Sequence, residues 1–570
     1  MIIEQFKFKK FVKDNWHILI LALLPLVQFI IASNIDFEFF WGFNNFHISN
    51  FINIWAGKDL GIIPGYYAPF YLFLNVLSKL FSHKIGVILL WWGIYVLGAI
   101  GVGLSFRKIL SLLAVKSNQL IELIVGFFYI FFVPSQFLPV MPFSFNLVYA
   151  LFPLLVYILL SFIDNECNNI FYYSVIFALF LFLFLGIQVI FYIYIAFGLL
   201  FMLILGFLYK KISLKKLCIF ILSSFLIFLL LGFPYIYTAI VLPQTTQGPL
   251  VNEMLSLENP TFTQSNSYLV ETYKIMGMTS YYYYYNGAYS IPSATTYYLN
   301  PYYTFLAYYG VIVLALMFLL LSKSRYKKIS LLLMTLFLIS IFLMSGVHAP
   351  PLFNTIYKYL SGNFIFFNAL RNSYKIYFLV LFIFTISLGL LLKHLLDKQR
   401  HKLLIVVVFC LPLLILARPL YTPDFYNSSN IHVPIEVLNS INYITTNMSD
   451  TRILLVPITP FPIFNFSTRG FNVYETATNF NVLANTNSAG SASKLLRPIN
   501  QAILDNNVTS FCNSMDIIAT DYVLWSGYID TQQYQIKSPQ QWLPFFEKNF
   551  ERIYNTDNIK IYKVCDNKNS

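Results

Sequence analysis

Residues 16–41 read WHILILALLPLVQFIIASNIDFEFFW, and this stretch decides how the chain is organised. Its first part, residues 16–33, is an apolar run close to the ~20 residues that a helix needs to cross a bilayer core. The run ends at Asp36 and Glu38, two carboxylates among aromatic residues in a chain that is only 11% charged. The stretch therefore predicts a membrane-spanning helix with an acidic pair at its far end.

Apolar runs of similar length recur up to residue 420, and 58% of the chain is hydrophobic. Backbone groups in lipid must be hydrogen-bonded within the protein, which favours helices over open sheets. The sequence thus predicts an all-α polytopic membrane protein with about eleven transmembrane helices. The predicted crossings are 16–33, 85–106, 119–133, 144–163, 170–186, 189–209, 217–241, 301–321, 329–346, 374–392 and 403–420.

The formal charge of +13 is unevenly distributed, and its distribution predicts orientation. Residues 421–570 are slightly acidic, so the excess of Lys and Arg lies in the hydrophobic part, mostly in clusters at 7–13, 107–116, 210–216, 323–328 and 393–402. All five clusters fall on one side if residues 66–81 form a juxtamembrane helix on the outer surface. The positive-inside rule then gives a multi-pass plasma-membrane protein with a cytoplasmic N-terminus, and it excludes nucleic acid as the partner.

The last 150 residues differ in composition and predict a soluble extracytoplasmic domain of mixed α/β type. Residues 435–446 and 540–550 have helical spacing, whereas residues 452–457, 516–524 and 559–564 are typical of strands. Residues 485–493 are predicted to be a polar loop. The domain boundaries are therefore 1–420 and 421–570. Cys512 and Cys565 both fall in the second domain, and the sequence leaves open whether they pair.

The predicted topology leaves three large outer segments before the tail, at 34–84, 242–300 and 347–373. They contain six carboxylates, namely Asp36, Glu38, Asp59, Glu253, Glu258 and Glu271. A general base must reach its proton directly or through one water, and partial desolvation tunes its pKa. Asp36 and Glu38 are tethered at the end of a span and suit this role. The residues alone equally allow a simple polar cap on a membrane helix.

Arg371 and Lys375 are four residues apart, so in a helix they share one face, at the outer end of a predicted span. Cations at this depth are costly unless they pair with an anion or reach the interface. They could therefore extend to lipid headgroups, or bind the phosphate of a substrate, for which the planar fork of Arg371 is suited. His47, Trp55, Tyr66, Glu271 and His348 are further candidates to line a substrate. No zinc-type spacing and no glycine-rich phosphate loop occurs in the sequence.

The acidic pair at the end of the first span, followed by NIWAG at 53–57 and PGYYAP at 64–69, resembles the first outer loop of the GT-C superfamily of glycosyltransferases. Residues 367–375, FNALRNSYK, resemble a late outer loop of its YfhO-like and arabinofuranosyltransferase-like branch. Ser373 stands where that branch usually has proline, and Lys375 where it usually has arginine.

This resemblance implies an inverting sugar transfer from a polyprenyl-phosphate-linked donor to an envelope glycan, glycolipid or glycoprotein. Asp36 is implied as the catalytic base and Glu38 as its helper, and a divalent cation, Mg²⁺ or Mn²⁺, remains open. Arg371 and Lys375 are implied as ligands of the donor phosphate. Two other hypotheses stay open: a transporter or lipid flippase, which the scarcity of ionisable residues within the spans disfavours, and a non-catalytic assembly protein, which the altered Arg371 motif favours.

Overall fold

The computed structural model describes residues 16–25, 76, 80–81, 83–131, 143–165, 168–183, 189–209, 213–246, 326–345, 351–363, 376–398, 402–416, 433–448, 451–459, 464–465, 474, 481–485, 491–529, 531 and 538–565. The statements that follow concern these residues.

Up to residue 416 the described chain is helical. The helices are α1 (Trp16–Pro25), α2 (His83–Leu112), α3 (Gln119–Phe131), α4 (Phe143–Asp164), α5 (Ile170–Leu183), α6 (Val189–Tyr209), α7 (Leu214–Thr246), α8 (Lys327–Ser345), α9 (Pro351–Asn363), α10 (Tyr377–Lys398) and α11 (Lys402–Leu416). All except α9 coincide with predicted crossings; the predicted crossing at 301–321 lies outside the described residues. Four of the described helices, α2, α4, α7 and α10, contain segments long and apolar enough to cross a membrane.

The centre of this helical part is formed by α2 and α4. The two helices approach closely at Gly98, where an added Cβ would lie 2.7 Å from the ring of Tyr149. Ser105 Oγ donates to Pro153 O at 2.6 Å, which ties α2 to α4 at a carbonyl inside α4. Small residues and interhelical hydrogen bonds of this kind replace the hydrophobic driving force that lipid cannot supply between helices.

Tyr129 on α3 and Tyr149 on α4 form a reciprocal pair. Each phenol donates to the other residue's backbone carbonyl, at 2.9 and 2.8 Å, and the two rings stack with their centroids 4.4 Å apart. Both side chains are completely buried. This pair fixes the position of α3 along α4.

The predicted end of the second crossing at residue 106 is wrong. The helix α2 continues to Leu112, so Arg107 and Lys108 lie inside a helix and not in a connecting loop. The physical reason is that both cations have acidic partners: Arg107 pairs with Glu122, and Lys108 Nζ lies 3.0 Å from Asp164 Oδ2. Paired charges are compatible with a continued helix in an apolar setting.

The helix α9 lies in the predicted outer segment 347–373, between α8 and α10. Leu352, Ile356 and Tyr359 are spaced four and three residues apart and are all exposed, at 70, 40 and 64%. This spacing places them on one face of the helix, so α9 presents an apolar stripe to its surroundings.

After residue 433 the chain forms a mixed sheet with helices on both faces. Its elements are α12 (Ile435–Asn447), β1 (Arg452–Thr459), β2 (Asn481–Asn485), α13 (Ser491–Leu504), α14 (Val508–Ile517), β3 (Tyr522–Ser526), α15 (Pro539–Asn549), β4 (Glu551–Asn555) and β5 (Ile559–Lys563). The strand order is β2-β1-β3-β5-β4, with β1 parallel to both neighbours and β5 antiparallel to both of its neighbours.

The two faces of this sheet have separate apolar cores. On one face, side chains of α13, α14 and α15 pack on the sheet around Phe511, Phe545 and Phe546. On the other face, α12 packs through Val437 and Ile444. Cys512 of α14 and Cys565, just after β5, form a disulfide with a Cα–Cα distance of 5.4 Å. The two cysteines, whose pairing the sequence left open, are therefore bonded to each other.

The predicted helices at 435–446 and 540–550 and the predicted strands at 452–457 and 559–564 agree with α12, α15, β1 and β5. The predicted strand at 516–524 is wrong in its first half, because α14 extends to Ile517 and turns through Ala519, whose φ is +48°. The predicted loop at 485–493 is wrong at both ends, since Asn485 ends β2 and Ser491 begins α13.

Candidate catalytic site

The side chains to which the sequence assigns chemistry lie outside the described residues. They are Asp36, Glu38, His47, Trp55, Tyr66, Glu271, His348, Arg371 and Lys375. The described helices that adjoin them in the chain define the candidate site. Asp36 and Glu38 follow α1 in the sequence, and Arg371 and Lys375 directly precede α10.

The helix α1 is held against α2 and α3. Leu21 fills the space beside Gly126 of α3, where an added Cβ would lie 2.5 Å from Leu21 Cδ1. Trp92 Nε1 of α2 donates to Ala22 O at 2.6 Å. The helix α1, which precedes the acidic pair in the sequence, therefore has a fixed place in the bundle.

The helix α10 packs against the same two helices. Ile376, the residue directly after Lys375, is completely buried. Further along, Gly389 lies against Val125 of α3 and Phe106 of α2, and an added Cβ there would approach their side chains to 2.6 and 2.8 Å. Gly126 faces α1 and the adjacent Val125 faces α10, so α1 and α10 both pack against α3.

The directions of these helices follow from their contacts. Trp16 Nε1, at the start of α1, donates to Gln119 Oε1 at the start of α3, at 2.8 Å, and Leu21 meets Gly126 further on, so α1 and α3 run parallel. In α10, Phe378 contacts Phe152 near the middle of α4, with centroids 5.0 Å apart. Gly389, further along α10, lies beside Phe106, next to the residue of α2 that contacts Glu122 at the start of α3.

The helix α10 therefore runs antiparallel to α1. The end of α1 and the start of α10 point to the same end of the bundle. The described end of α1 is eleven residues before Asp36, and α10 begins two residues after Lys375.

The opposite end of the bundle holds a buried ion cluster centred on Glu122, in the first turn of α3. Arg107 Nε and Nη2 donate to Glu122 Oε1 and Oε2 at 2.9 and 2.5 Å, and Ser117 Oγ donates to Oε1 at 2.5 Å. His17 Nε2 lies 3.2 Å from Glu122 Oε2. The Glu122 and His17 side chains are 3 and 2% exposed, so the cluster joins α1, α2 and α3 away from solvent.

The Glu122 cluster is not among the sites predicted from the sequence. The available signal was a lone carboxylate inside the apolar run 119–131, preceded by Arg107 at the end of the neighbouring run. A buried carboxylate requires a cation and hydrogen-bond donors, and Arg107 and Ser117 supply them here. Both Glu122 oxygens have partners, so the cluster is a closed structural joint and not an open reaction site.

Among the described residues no group of three or more His, Cys, Asp or Glu side chains could hold a metal ion. The carboxylates with which the sequence associates a divalent cation, Asp36 and Glu38, lie outside the described part of the chain.

No protein-family model and no curated protein matches the sequence. Solved structures do match the fold. The arabinofuranosyltransferase AftD from Mycobacteria superposes with a TM-score of 0.62 at 13% identity, over 96% of this chain and 40% of AftD. The apo oligosaccharyltransferase of Archaeoglobus fulgidus superposes with a TM-score of 0.50 at 12% identity, over 98% of this chain and 75% of that enzyme.

The chain therefore shares its fold with these two proteins, in agreement with the fold that the sequence resemblance predicts. It spans 40% of the length of AftD. The superpositions show a shared fold. At identities of 12 and 13%, the substrate and the roles of individual residues have to be argued from this chain.

Proposed function

We propose that the chain is an integral-membrane glycosyltransferase. It takes a sugar from a polyprenyl-phosphate-linked donor and transfers it to an envelope glycan, glycolipid or glycoprotein at the outer face of the plasma membrane. The observation that carries the proposal is the packing of α1 and α10 on either side of α3 in a GT-C fold. This packing supports a site in which Asp36 and Arg371 act on the same donor.

In the proposed reaction Asp36 takes the proton of the acceptor hydroxyl as its oxygen attacks the anomeric carbon of the donor sugar. The bond between that carbon and the phosphate oxygen breaks, and its electron pair leaves with the lipid phosphate. Attack opposite the leaving group inverts the anomeric centre. Glu38 orients Asp36 or the acceptor, alone or together with a divalent cation.

Arg371 and Lys375 stabilise the negative charge that develops on the departing phosphate. Preorganised cations in a site of low dielectric contribute a large share of such catalysis. Arg371 offers two parallel N–H donors and Lys375 a point charge. Further side chains would line the binding sites of the donor and the acceptor, with the aromatic rings against sugar faces; they are His47, Trp55, Tyr66, Glu271 and His348.

The proposed topology has eleven crossings, a cytoplasmic N-terminus and an extracytoplasmic second domain from residue 421. The Cys512–Cys565 disulfide supports this placement, because disulfides persist in oxidising compartments outside the cytoplasm. The Glu122 cluster would then lie at the cytoplasmic end of the bundle, opposite the proposed site.

The structure gives no new support to the transporter or flippase hypothesis. Coupling sites in transporters lie near the bilayer midplane, on broken helices. The Glu122 cluster instead occupies the first turn of α3, and both carboxylate oxygens already have partners. A catalytic protein and a non-catalytic relative with the same fold are separated by the following experiment.

The test is a transfer assay with purified protein in lipid nanodiscs, a radiolabelled envelope-lipid extract as donor, and the release of lipid phosphate as readout. We expect Asp36→Asn to reduce the rate by at least ~10²-fold, the lower range for loss of a general base. The matched control is Asp59→Asn, a carboxylate of the same outer segment with no assigned role, which should retain the wild-type rate. Equal rates for Asp36→Asn and wild type would contradict the proposal.

A further inference from the structure

A group of polar and aromatic side chains lies where the parallel strands β1 and β3 end. We call it the Glu436 cluster; its members are Glu436, Tyr443, Tyr528, Tyr554, Thr556 and Asn558. Tyr528 is two residues beyond the end of β3. In α/β sheets with the order β2-β1-β3, ligands bind outside the carboxyl ends of β1 and β3, where the strand order reverses. The cluster therefore lies at this edge of the sheet, beside the Phe464–Ile529 bridge that joins the segments following β1 and β3.

Two separate segments converge on the carboxylate of Glu436. Its Oε2 accepts hydrogen bonds from Tyr528 Oη and Thr556 Oγ1, both at 3.3 Å. Asn558 Nδ2 donates to Tyr528 Oη, also at 3.3 Å. The backbone N–H of Gly527 donates to Asn558 O at 2.8 Å and holds the β4–β5 turn against the end of β3.

The hydrogen-bonding capacity of the cluster is not used up by these contacts. Both bonds from described residues reach Oε2, which leaves Glu436 Oε1 with no donor among the described residues. All the side chains of the cluster are partly exposed. A ligand can therefore find a carboxylate acceptor and an amide that both donates and accepts.

Tyrosine rings provide the apolar side of the cluster. The Tyr443 and Tyr554 rings pack with their centroids 4.8 Å apart, and Tyr443 Oη donates to Ile553 O at 3.2 Å, which fixes the ring. Rings with one apolar face and one polar tip suit ligands that are themselves apolar on one side and hydroxylated on the edge. Sugars have this character.

The charge of the cluster limits the ligand further. Burial, and then the negative charge of Glu436, raise the pKa of Tyr528 and of Tyr554, and Asp557 contributes further to Tyr528. Lys560 lies on the opposite face of the sheet, over Trp525, where it pairs with Glu547 of α15 at 2.9 Å. The surroundings are thus acidic and unsuited to a phosphate or a uronic acid.

We propose that the Glu436 cluster is a carbohydrate-binding site that takes a non-acidic, polyhydroxylated sugar of the acceptor. Glu436 Oε1 and the Asn558 side chain bind ring hydroxyls, and Tyr554 with Tyr443 supports the apolar face of the sugar. The phosphate-linked donor is excluded by charge. The identification of the ligand as acceptor rests on the proposed glycosyl transfer; the binding itself does not.

The experiment measures binding by isothermal titration to the full chain in nanodiscs. The probes are arabinopentaose, mannopentaose, chitopentaose and, as the acidic probe, pentagalacturonate. We expect at least one of the three uncharged probes to bind, and pentagalacturonate to bind at least ~10-fold more weakly than that probe, since it would place like charges together. Absence of binding by all three uncharged probes, or preferential binding of the acidic one, would overturn the proposal.

Variants locate the binding site. Glu436→Gln keeps the shape of the side chain and removes its charge, and should weaken binding about tenfold or more, the lower range for a hydrogen bond to a charged group. Tyr554→Ala should weaken binding to a similar extent, whereas Tyr554→Phe keeps the ring and should bind within about threefold of wild type. Glu547→Gln, a carboxylate of α15 paired with Lys560, is the matched control and should bind as wild type does.

Thermal unfolding of each variant, compared with that of wild type, separates lost binding from lost folding. Wild-type affinity in folded Glu436→Gln and Tyr554→Ala would overturn the site assignment. Asp36→Asn should bind the probe as wild type does. An Asp36→Asn variant with full transfer activity would therefore refute the proposed function while leaving this binding site intact. Loss of transfer in Asp36→Asn, together with wild-type binding in Glu436→Gln and Tyr554→Ala, would support the proposed function and refute the binding site.

Discussion

The helical part, up to residue 416, and the tail, from residue 433, are held together by different forces. In the helical part, 89% of the apolar segment Leu147–Asp164 is buried against other helices, but only 22% of Leu214–Phe233 is. Both segments are almost purely apolar, so apolarity does not distinguish inside from outside. In the tail, exposed positions are mostly polar and the apolar side chains form the two cores of the sheet.

The difference follows from the solvent. Lipid is as apolar as leucine, so helices in a bilayer gain little from burying leucine against one another. Their mutual positions depend on close contacts at Gly98, Gly126 and Gly389, on the Tyr129–Tyr149 pair and on the Glu122 cluster. The tail has the mostly polar exposed surface of a domain in water, where burial of apolar surface contributes about 25 cal/mol for each Å², and it is closed by a disulfide.

The largest effect should come from Glu122. Glu122→Ala removes the partner of Arg107, whose side chain is 39% exposed, and of the buried His17, so we expect a loss of about 3 kcal/mol in free energy of unfolding, the lower end of the range for a broken buried pair. The measurement is denaturant-induced unfolding in lipid nanodiscs. The matched control is Asp397→Asn, which breaks the pair with Lys393 within α10, where the Asp397 side chain is 38% exposed and about 1 kcal/mol or less is expected.

The double variant Glu122→Ala/Arg107→Leu sharpens this test. Removing both charges avoids an unpaired ion next to the buried His17, so the double variant should be more stable than Glu122→Ala alone. If the two single losses simply added, the described contacts between Glu122 and Arg107 would not be what stabilises this end of the bundle.

A smaller effect is expected from the disulfide of the tail. Cys512 and Cys565 are 53 residues apart, and closing a loop of that size in the unfolded chain contributes about 2–4 kcal/mol. Cys512→Ser/Cys565→Ser should therefore lower the unfolding temperature of the tail, and a reducing agent should do the same to wild type. Cys218→Ser, which removes an exposed free thiol of α7, is the control. Unchanged unfolding of the tail under reducing conditions would contradict the comparison.

The sequence predicted most of the elements because their signals are local. Long apolar runs gave the helices α1 to α8, α10 and α11. In the tail, helical spacing gave α12 and α15, and strand-type apolar runs gave β1 and β5. The end of α2 was missed because it depends on Glu122, fifteen residues beyond Arg107 in the chain but in direct contact with it. The start of β3 was missed because a left-handed turn at Ala519 separates it from α14, and alanine gives no signal for such a turn.

The candidate site was predictable in a different sense. Counting carboxylates in the outer segments singled out Asp36 and Glu38 from composition and topology alone. Which helices lie next to α1 and α10 could not be predicted, because helix neighbours depend on contacts such as Leu21 with Gly126 and Gly389 with Val125. Likewise, the Glu436 cluster joins residues up to 122 positions apart in the sequence, through the pairing of strands and helices that meet at one sheet edge.

The most direct test of the account is the distance between residues 36 and 371. Spin labels at Asp36→Cys and Arg371→Cys, in a chain whose Cys167, Cys218 and Cys410 are replaced by serine, report it by pulsed electron resonance in nanodiscs. Two helices that flank a third are separated by about 20 Å, given interaxial spacings of about 10 Å. We expect a distribution centred near or below ~20 Å. A distribution centred beyond ~35 Å would place the two residues on opposite sides of a bundle several helices wide and would contradict a shared catalytic site.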